Sequence, residues 1–163
     1  MKNIQIRLAT DKEGSCIIDL LKETALWIKN KGIDQWTYLL DGGEDEEIIQ
    51  CIVNKETYVV INDEEIMATF TLYLDQNDWD KHIWGEVPPD SIYLHRLAVK
   101  PKYMKNGISK EIFNWINNNI QTDKKYLKLD CVCGNEKLNQ FYQNSGFEFL
   151  GVSNEHSKYQ KLL

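Results

Sequence analysis

The sequence predicts a mixed α/β fold, a mostly antiparallel central sheet of six to seven strands flanked by about four helices. Two observations lead there. β-rich runs and amphipathic helical periods alternate along the whole chain, in the order β, α, α, β, β, β, α, β, α, β, β. One pair of β-runs is joined by Asn62-Asp63-Glu64-Glu65, a tight polar hairpin signal, whereas the runs at 91–99, 126–133 and 147–152 are separated by helices. The sheet therefore combines antiparallel and parallel pairings.

Each element has its own cause. Ile4, Ile6 and Leu8 alternate with polar residues and predict a first strand. Residues 11–31 carry Ile17, Leu21, Ala25 and Ile28 on one helical face, with Gly32 as the stop. Asp41-Gly42-Gly43 predicts a turn, and Ile48, Ile49, Ile52 and Val53 a shorter helix with acids at its start. Residues 57–61 and 66–74 are the hairpin strands. Residues 75–90 hold acids, two tryptophans and Pro88-Pro89 without a clear period, which predicts a loop. Residues 91–99 form the next strand, ended by Pro101. Ile108, Ile112, Trp115, Ile116 and Ile120 predict a helix, 126–133 a strand, 135–144 a short helix, and 147–152 and 156–162 the last two strands.

Composition bounds the function. A chain of 163 residues fits one compact domain, here 1–163, and 42% hydrophobic with 27% charged residues is the balance of a globular protein. No apolar run approaches the roughly 20 residues that cross a bilayer, and the first seven residues lack a secretory apolar stretch. Neither a membrane partner nor export is expected; a cytoplasmic protein is. A net charge of −6 disfavours non-specific nucleic-acid binding. Cys16 and Cys51 stand alone, and Cys131-Val132-Cys133 has one intervening residue instead of the two of a zinc or redox pair. No metal is expected, and Cys131 and Cys133 are assigned to the apolar face of Leu127 and Leu129. Acids gather at 41–47 and 75–90, while Lys100, Lys102, Lys105 and Lys110 face a single acid between them. That cationic patch is where an anionic ligand is expected.

Chemistry concentrates in two stretches. Tyr93-Leu94-His95-Arg96-Leu97-Ala98-Val99-Lys100-Pro101-Lys102-Tyr103-Met104-Lys105-Asn106-Gly107-Ile108-Ser109 runs from strand through a short loop into a helix. Such a junction aims unpaired N–H groups and the positive end of a helix dipole at one spot, and Gly107 permits close approach. A plain turn glycine explains Gly107 equally well, and the glycine spacings of dinucleotide folds and phosphate loops are absent. The second stretch, 127–147, runs from a strand into a helix that Asn135 caps and Gly146 stops, then through Gly-Phe into a strand.

Together the two stretches resemble the GNAT family of N-acetyltransferases. The first is similar to its motif A, a strand ending in Leu97-Ala98-Val99-x-Pro101-x-Tyr103 before a pyrophosphate loop. The second is similar to motif B, with Asn135, Phe141-Tyr142 and Gly146-Phe147 in register. The likeness extends to the whole chain in element order and is specific across about 90–150. The loop departs from the family's Gln/Arg-x-x-Gly-x-Gly/Ala pattern, reading Met104-Lys105-Asn106-Gly107-Ile108-Ser109.

The resemblance implies transfer of an acetyl group from acetyl-CoA, a co-substrate, to a primary amine, taken to be that of a small molecule. It implies that the backbone of Met104, Lys105, Asn106, Gly107, Ile108 and Ser109 holds the pyrophosphate, and that main-chain groups of Leu97, Ala98 and Val99 meet the developing oxyanion. It implies a cofactor contact for Asn135, and makes Tyr142 both a cofactor contact and the general acid for the CoA thiolate. Strand alternation would put Tyr93, His95, Leu97 and Val99 on one face. His95 is a candidate base, Glu86 and Asp90 precede the same strand and are candidates acting through water, and catalysis through ordered water alone stays open. The acids of 41–47 and 75–90, with Trp36, Trp79 and Trp84, are candidates for the acceptor site. The plainer alternatives are packing for the tryptophans and dipole complementarity for the acids of 44–47. The chain is expected to be a monomer or homodimer. The rival reading is a catalytically weak or inactive CoA-binding sensor or interaction module, and a nucleotide-binding α/β domain is a more distant one.

Overall fold

The structure, a computed structural model, describes residues 3–163. Seven strands form one sheet: β1 (Ile4–Leu8), β2 (Thr57–Asn62), β3 (Glu65–Tyr73), β4 (Ser91–Val99), β5 (Tyr126–Val132), β6 (Glu148–Ser153) and β7 (His156–Leu162), ordered β1-β2-β3-β4-β5-β7-β6. Pairing is parallel between β4 and β5 and antiparallel for β1–β2, β2–β3, β5–β7 and β6–β7. Among the described residues five helices accompany it: α1 (Gly14–Asn30), α2 (Asp45–Val53), α3 (Asp78–Trp84), α4 (Ile108–Asn119) and α5 (Glu136–Asn144). The mixed, mostly antiparallel sheet of the sequence reading is thus present, with one helix more than expected.

That extra helix is α3, in the stretch expected to be a loop. Seven residues are too few to establish a period, but the capping signal is there. Asn77 Oδ1 accepts from the Asp80 backbone N–H at 2.8 Å, and Asp80 Oδ2 accepts from the Asn77 N–H at 3.2 Å. Asp80 and Ile83, one turn apart, are the buried positions, and Gly85 at φ 71 ends the helix.

The chain divides into two compact units, one of residues up to Thr71 with Arg96–Asn118, the other of Leu72–His95 with Asn119–Leu163. The first packs α1 and α2 through Ile17, Leu20, Leu21, Ala25, Ile48 and Ile52 against Val59 and Ala98. The i, i+3, i+4, i+8 spacing in α1 is what makes this stripe continuous. A second apolar group in this unit stacks Tyr58 on Phe70 at 5.1 Å, with Trp115 of α4 edge-on to both. The other unit buries Ile83, Ile92, Tyr93, Leu127, Leu129, Cys131, Tyr142, Phe147 and Tyr159. Cys131 joins Leu127 and Leu129 as expected of that face, but Cys133 lies just past the end of β5 and is exposed, as is Cys16. The alternation that would bury Cys133 ends with the strand.

At the start of the chain Arg7 grips Glu13 with two bonds, Nη1 to Oε1 at 2.9 Å and Nη2 to Oε2 at 2.8 Å. This guanidinium chiefly holds the Glu13 carboxyl down at about 2, with the Thr10 N–H adding to it. A folded-state value below the unfolded one stabilises above the unfolded value and is lost as pH falls through about 2. Both groups are part-exposed, so solvent screening limits the pair to about 1 kcal/mol. Glu13→Gln is expected to cost that much at neutral pH. Denaturant titrations should show the gap to wild type closing as pH is lowered from about 5 towards 2.

Candidate active site

The loop after β4 has an unusual backbone. Pro101–Tyr103 make one 3-10 turn, Met104 donates its N–H to Pro101 O at 3.2 Å, and Lys105 and Gly107 then take left-handed φ of 66 and 76. Asn106 Nδ2 donates to Tyr103 O at 3.0 Å and pins the turn. After Met104 the next amide with a partner is that of Glu111, to Gly107 O at 3.1 Å, so Gly107 caps α4. The N–H groups of Lys105, Asn106, Gly107 and Ile108 donate to nothing among the described residues. Successive free amides at a helix start are suited to bind an anion such as a phosphate.

Charge around this loop differs from the expectation of four lysines facing one acid. Glu65 of β3 collects Lys102 Nζ at 2.8 Å, Lys100 Nζ at 3.1 Å and the Tyr103 hydroxyl. Lys102 first, then Tyr103 and Lys100, hold the Glu65 carboxyl down at about 2. Two of the four cations are therefore engaged by an acid 35 or more positions away, which local charge counting cannot see. Lys105 and Lys110 make no ion pair among the described residues.

β4 is irregular at its centre. Arg96 has φ 51, a left-handed conformation rare in a strand. The alternation expected to align Leu97 and Val99 with Tyr93 and His95 is broken there. Ala98 is buried, while Leu97 and Val99 are half-buried. Arg96 reaches Glu47 at 3.1 Å and Glu44 at 3.6 Å. Glu44 is raised by burial first and by Glu47 second, with Arg96 pulling the other way. Together with the Lys22–Asp45 pair at 3.3 Å, this gives partners to three of the acids of 41–47.

His95 precedes this irregularity. Its Nε2 lies 2.8 Å from Asp80 Oδ1, and the Tyr73 ring meets the imidazole edge-on at 5.0 Å. Nδ1 makes no hydrogen bond among the described residues. Glu86 is exposed after α3, with no side-chain hydrogen bond or ion pair among the described residues. Asp90 accepts from Ser91 Oγ at 2.8 Å and lies 4.0 Å from Lys128 Nζ. Asp80 was the residue missed by reading the sequence; its signal was the Asn77-x-x-Asp80 cap.

In α5, Asn135 is the N-cap, its Oδ1 accepting from the Leu138 N–H at 3.2 Å. Asn139 braces the preceding turn, donating from Nδ2 to Asn135 O at 2.8 Å and Val132 O at 3.2 Å, and accepting from the Tyr159 hydroxyl at 2.7 Å. Tyr142 is buried, with Phe147 and Tyr159 each 5.7 Å away between ring centroids. Burial above all, then Cys131, Asp130 and Tyr159, drives its hydroxyl far above the ordinary phenol value. The group therefore stays protonated, a donor rather than a base.

Of the three tryptophans, Trp79 donates Nε1–H to both Asp130 oxygens at 3.1 and 3.2 Å, and Asp130 also meets His156 at 3.0 Å. Trp84 lies under Lys128 and Lys158 at 4.8 and 5.6 Å. Trp36 has φ 64 at the start of a 3-10 turn. Trp79 and Trp84 thus each have polar or cationic partners within the protein, and Trp79 is exposed. Among the described residues no helix is long and apolar enough to cross a membrane, and no His, Cys, Asp or Glu group could hold a metal ion.

Comparison with known proteins bears on the same segments. The model of the acetyltransferase (GNAT) domain matches residues 54–149. An uncharacterized N-acetyltransferase of Bacillus subtilis, YesJ, is 34% identical over 88% of this chain and 81% of its own. A GNAT-family acetyltransferase structure from Listeria monocytogenes is 30% identical, covers 98% of this chain and 95% of its own, and superposes with a TM-score of 0.85. The PaiA N-acetyltransferase of Thermoplasma acidophilum, solved with coenzyme A, shares the fold at a TM-score of 0.74 and 18% identity, over 99% of each chain.

Proposed function

The chain belongs to the GNAT acetyltransferase family, and we propose that it moves the acetyl group of acetyl-CoA to the primary amine of a small molecule. One observation carries the cofactor half of this reading: the unpartnered amides of Lys105, Asn106, Gly107 and Ile108, set by left-handed turns at Lys105 and Gly107. They supply directional donors for a diphosphate, and Lys105 and Lys110 supply charge. Ser109 and Met104 flank the same loop. Asn135, at the start of α5, is assigned a further contact to the CoA arm.

Aminolysis of a thioester forms a C–N bond, breaks a C–S bond and moves two protons. In our reading His95 takes the proton of the attacking amine at Nδ1, and main-chain N–H groups of Leu97, Ala98 and Val99 receive the oxyanion. The departing thiolate takes its proton from the Tyr142 hydroxyl. An alkyl amine near pKa 10.4 is mostly charged at neutral pH, so a base at this point contributes directly to the rate. Glu86, exposed and unheld, is the weaker base. Residues 1–163 act as one N-acetyltransferase domain in this reading, without a metal, in the cytoplasm, as a monomer or homodimer.

The test is a panel of amines (polyamines, aminoglycosides, amino acids and an N-terminal peptide) with acetyl-CoA, following free thiol. Release above the hydrolytic background with a small amine is the expected result. Turnover with the peptide alone moves the acceptor to proteins. CoA binding without any release would make the chain a binding module.

A further inference from the structure

We infer that Asp80 is the positioning residue for this transfer, fixing His95 as its Nε2–H tautomer and so presenting Nδ1 as the proton acceptor. The inference rests on the acetyl-transfer reading and deepens it. Asp80 is 1% exposed, so both of its oxygens need partners within the protein. Oδ2 accepts the Asn77 N–H at 3.2 Å, the bond that closes the cap of α3. Oδ1 lies 2.8 Å from His95 Nε2. A carboxylate only accepts, so Nε2 must carry the proton that lies between them. The neutral ring then has one lone pair left, on Nδ1, the nitrogen without a partner among the described residues.

Capping alone does not explain Asp80. A cap uses one oxygen, and an asparagine would serve it equally well. The second oxygen, out of water, is accounted for by His95. The Tyr73 ring, edge-on at 5.0 Å, restricts the imidazole from another side. A short helix inserted before β4 thus performs two tasks with one side chain: it closes its own first turn and orients the base on the neighbouring strand.

Asp80→Asn is the discriminating variant because it keeps the shape and can keep the cap. Its carbonyl takes the Asn77 N–H, which turns the NH2 towards Nε2. Nε2 must then accept, and the proton moves to Nδ1, where it blocks the amine. Nitrogen-15 spectra of the imidazoles, assigned against His95→Gln, are expected to show Nε2–H in wild type and Nδ1–H in Asp80→Asn. The same variant is expected to lose about 30-fold in kcat with KM for acetyl-CoA within about twofold. Thermal melts matching wild type would confirm that the loss is not misfolding. Wild-type His95 found as the Nδ1–H tautomer, or a kcat loss under about threefold in an active enzyme, overturns the assignment of Asp80. A wild type that turns over no amine overturns the transfer reading, and the catalytic role of Asp80 with it, whatever the tautomer.

Discussion

Tyr142→Phe is expected to lower kcat for acetyl transfer by about 100- to 1,000-fold while leaving CoA affinity within about twofold. The substitution removes one oxygen from a ring that keeps its neighbours: Phe147 and Tyr159, each at 5.7 Å, pack equally well against phenylalanine. Burial holds the hydroxyl in its protonated form, the form that the proposed role as donor to the departing thiolate requires. A CoA thiol is acidic enough to leave unassisted at a reduced rate, which sets a floor under the variant. Rapid mixing with a thiol reagent separates the outcomes. A variant with wild-type kcat would remove Tyr142 from the chemistry, and one that fails to bind CoA would make it a cofactor contact only. Activity with a thioester of a more acidic thiol should recover in the variant, because that leaving group needs no donor.

The order of strands and helices was legible because each long element repeats its own period. Ile17, Leu21 and Ala25 of α1 and Ile108, Ile112 and Ile116 of α4 are buried in the pattern the sequence displays. The family resemblance was legible because motifs A and B are local. What stayed hidden is non-local or sub-periodic. Glu65 lies far along the chain from the lysines it holds, and only the pairing of β3 brings it there. The left-handed Arg96 sits inside a run that reads as a regular strand, and nothing in Leu94-His95-Arg96-Leu97 announces the irregularity. Asp80 was hidden for a third reason: α3, at seven residues, is shorter than two helical turns and leaves no period to detect. Its cap was readable, its partnership with His95 was not. What was readable is thus the local backbone signal after β4, and what was unreadable is where side chains from separate segments meet.

Gly107→Val is expected to raise KM for acetyl-CoA about 100-fold with a smaller change in kcat. At φ 76 a β-branched residue costs about 1–3 kcal/mol, although open space surrounds the position where its Cβ would stand. The loop relieves that cost by rotating Gly107 out of the left-handed region. Rotation turns the amides of Gly107 and Ile108 away from their common focus, and each amide lost to a charged oxygen costs about 1.5–3 kcal/mol. Two such losses correspond to roughly 100-fold or more in affinity. Stability should change little by comparison, because Ile108 and Ile112 anchor α4 from its other face and the loop carries no core residue before them. Isothermal titration with CoA and with CoA lacking its diphosphate arm checks the mechanism. Wild type should lose most of its affinity when the diphosphate is removed, whereas Gly107→Val should bind both forms equally weakly. Equal loss in both proteins on removing the diphosphate would mean that the anion is held elsewhere, and the start of α4 would then be a turn and nothing more.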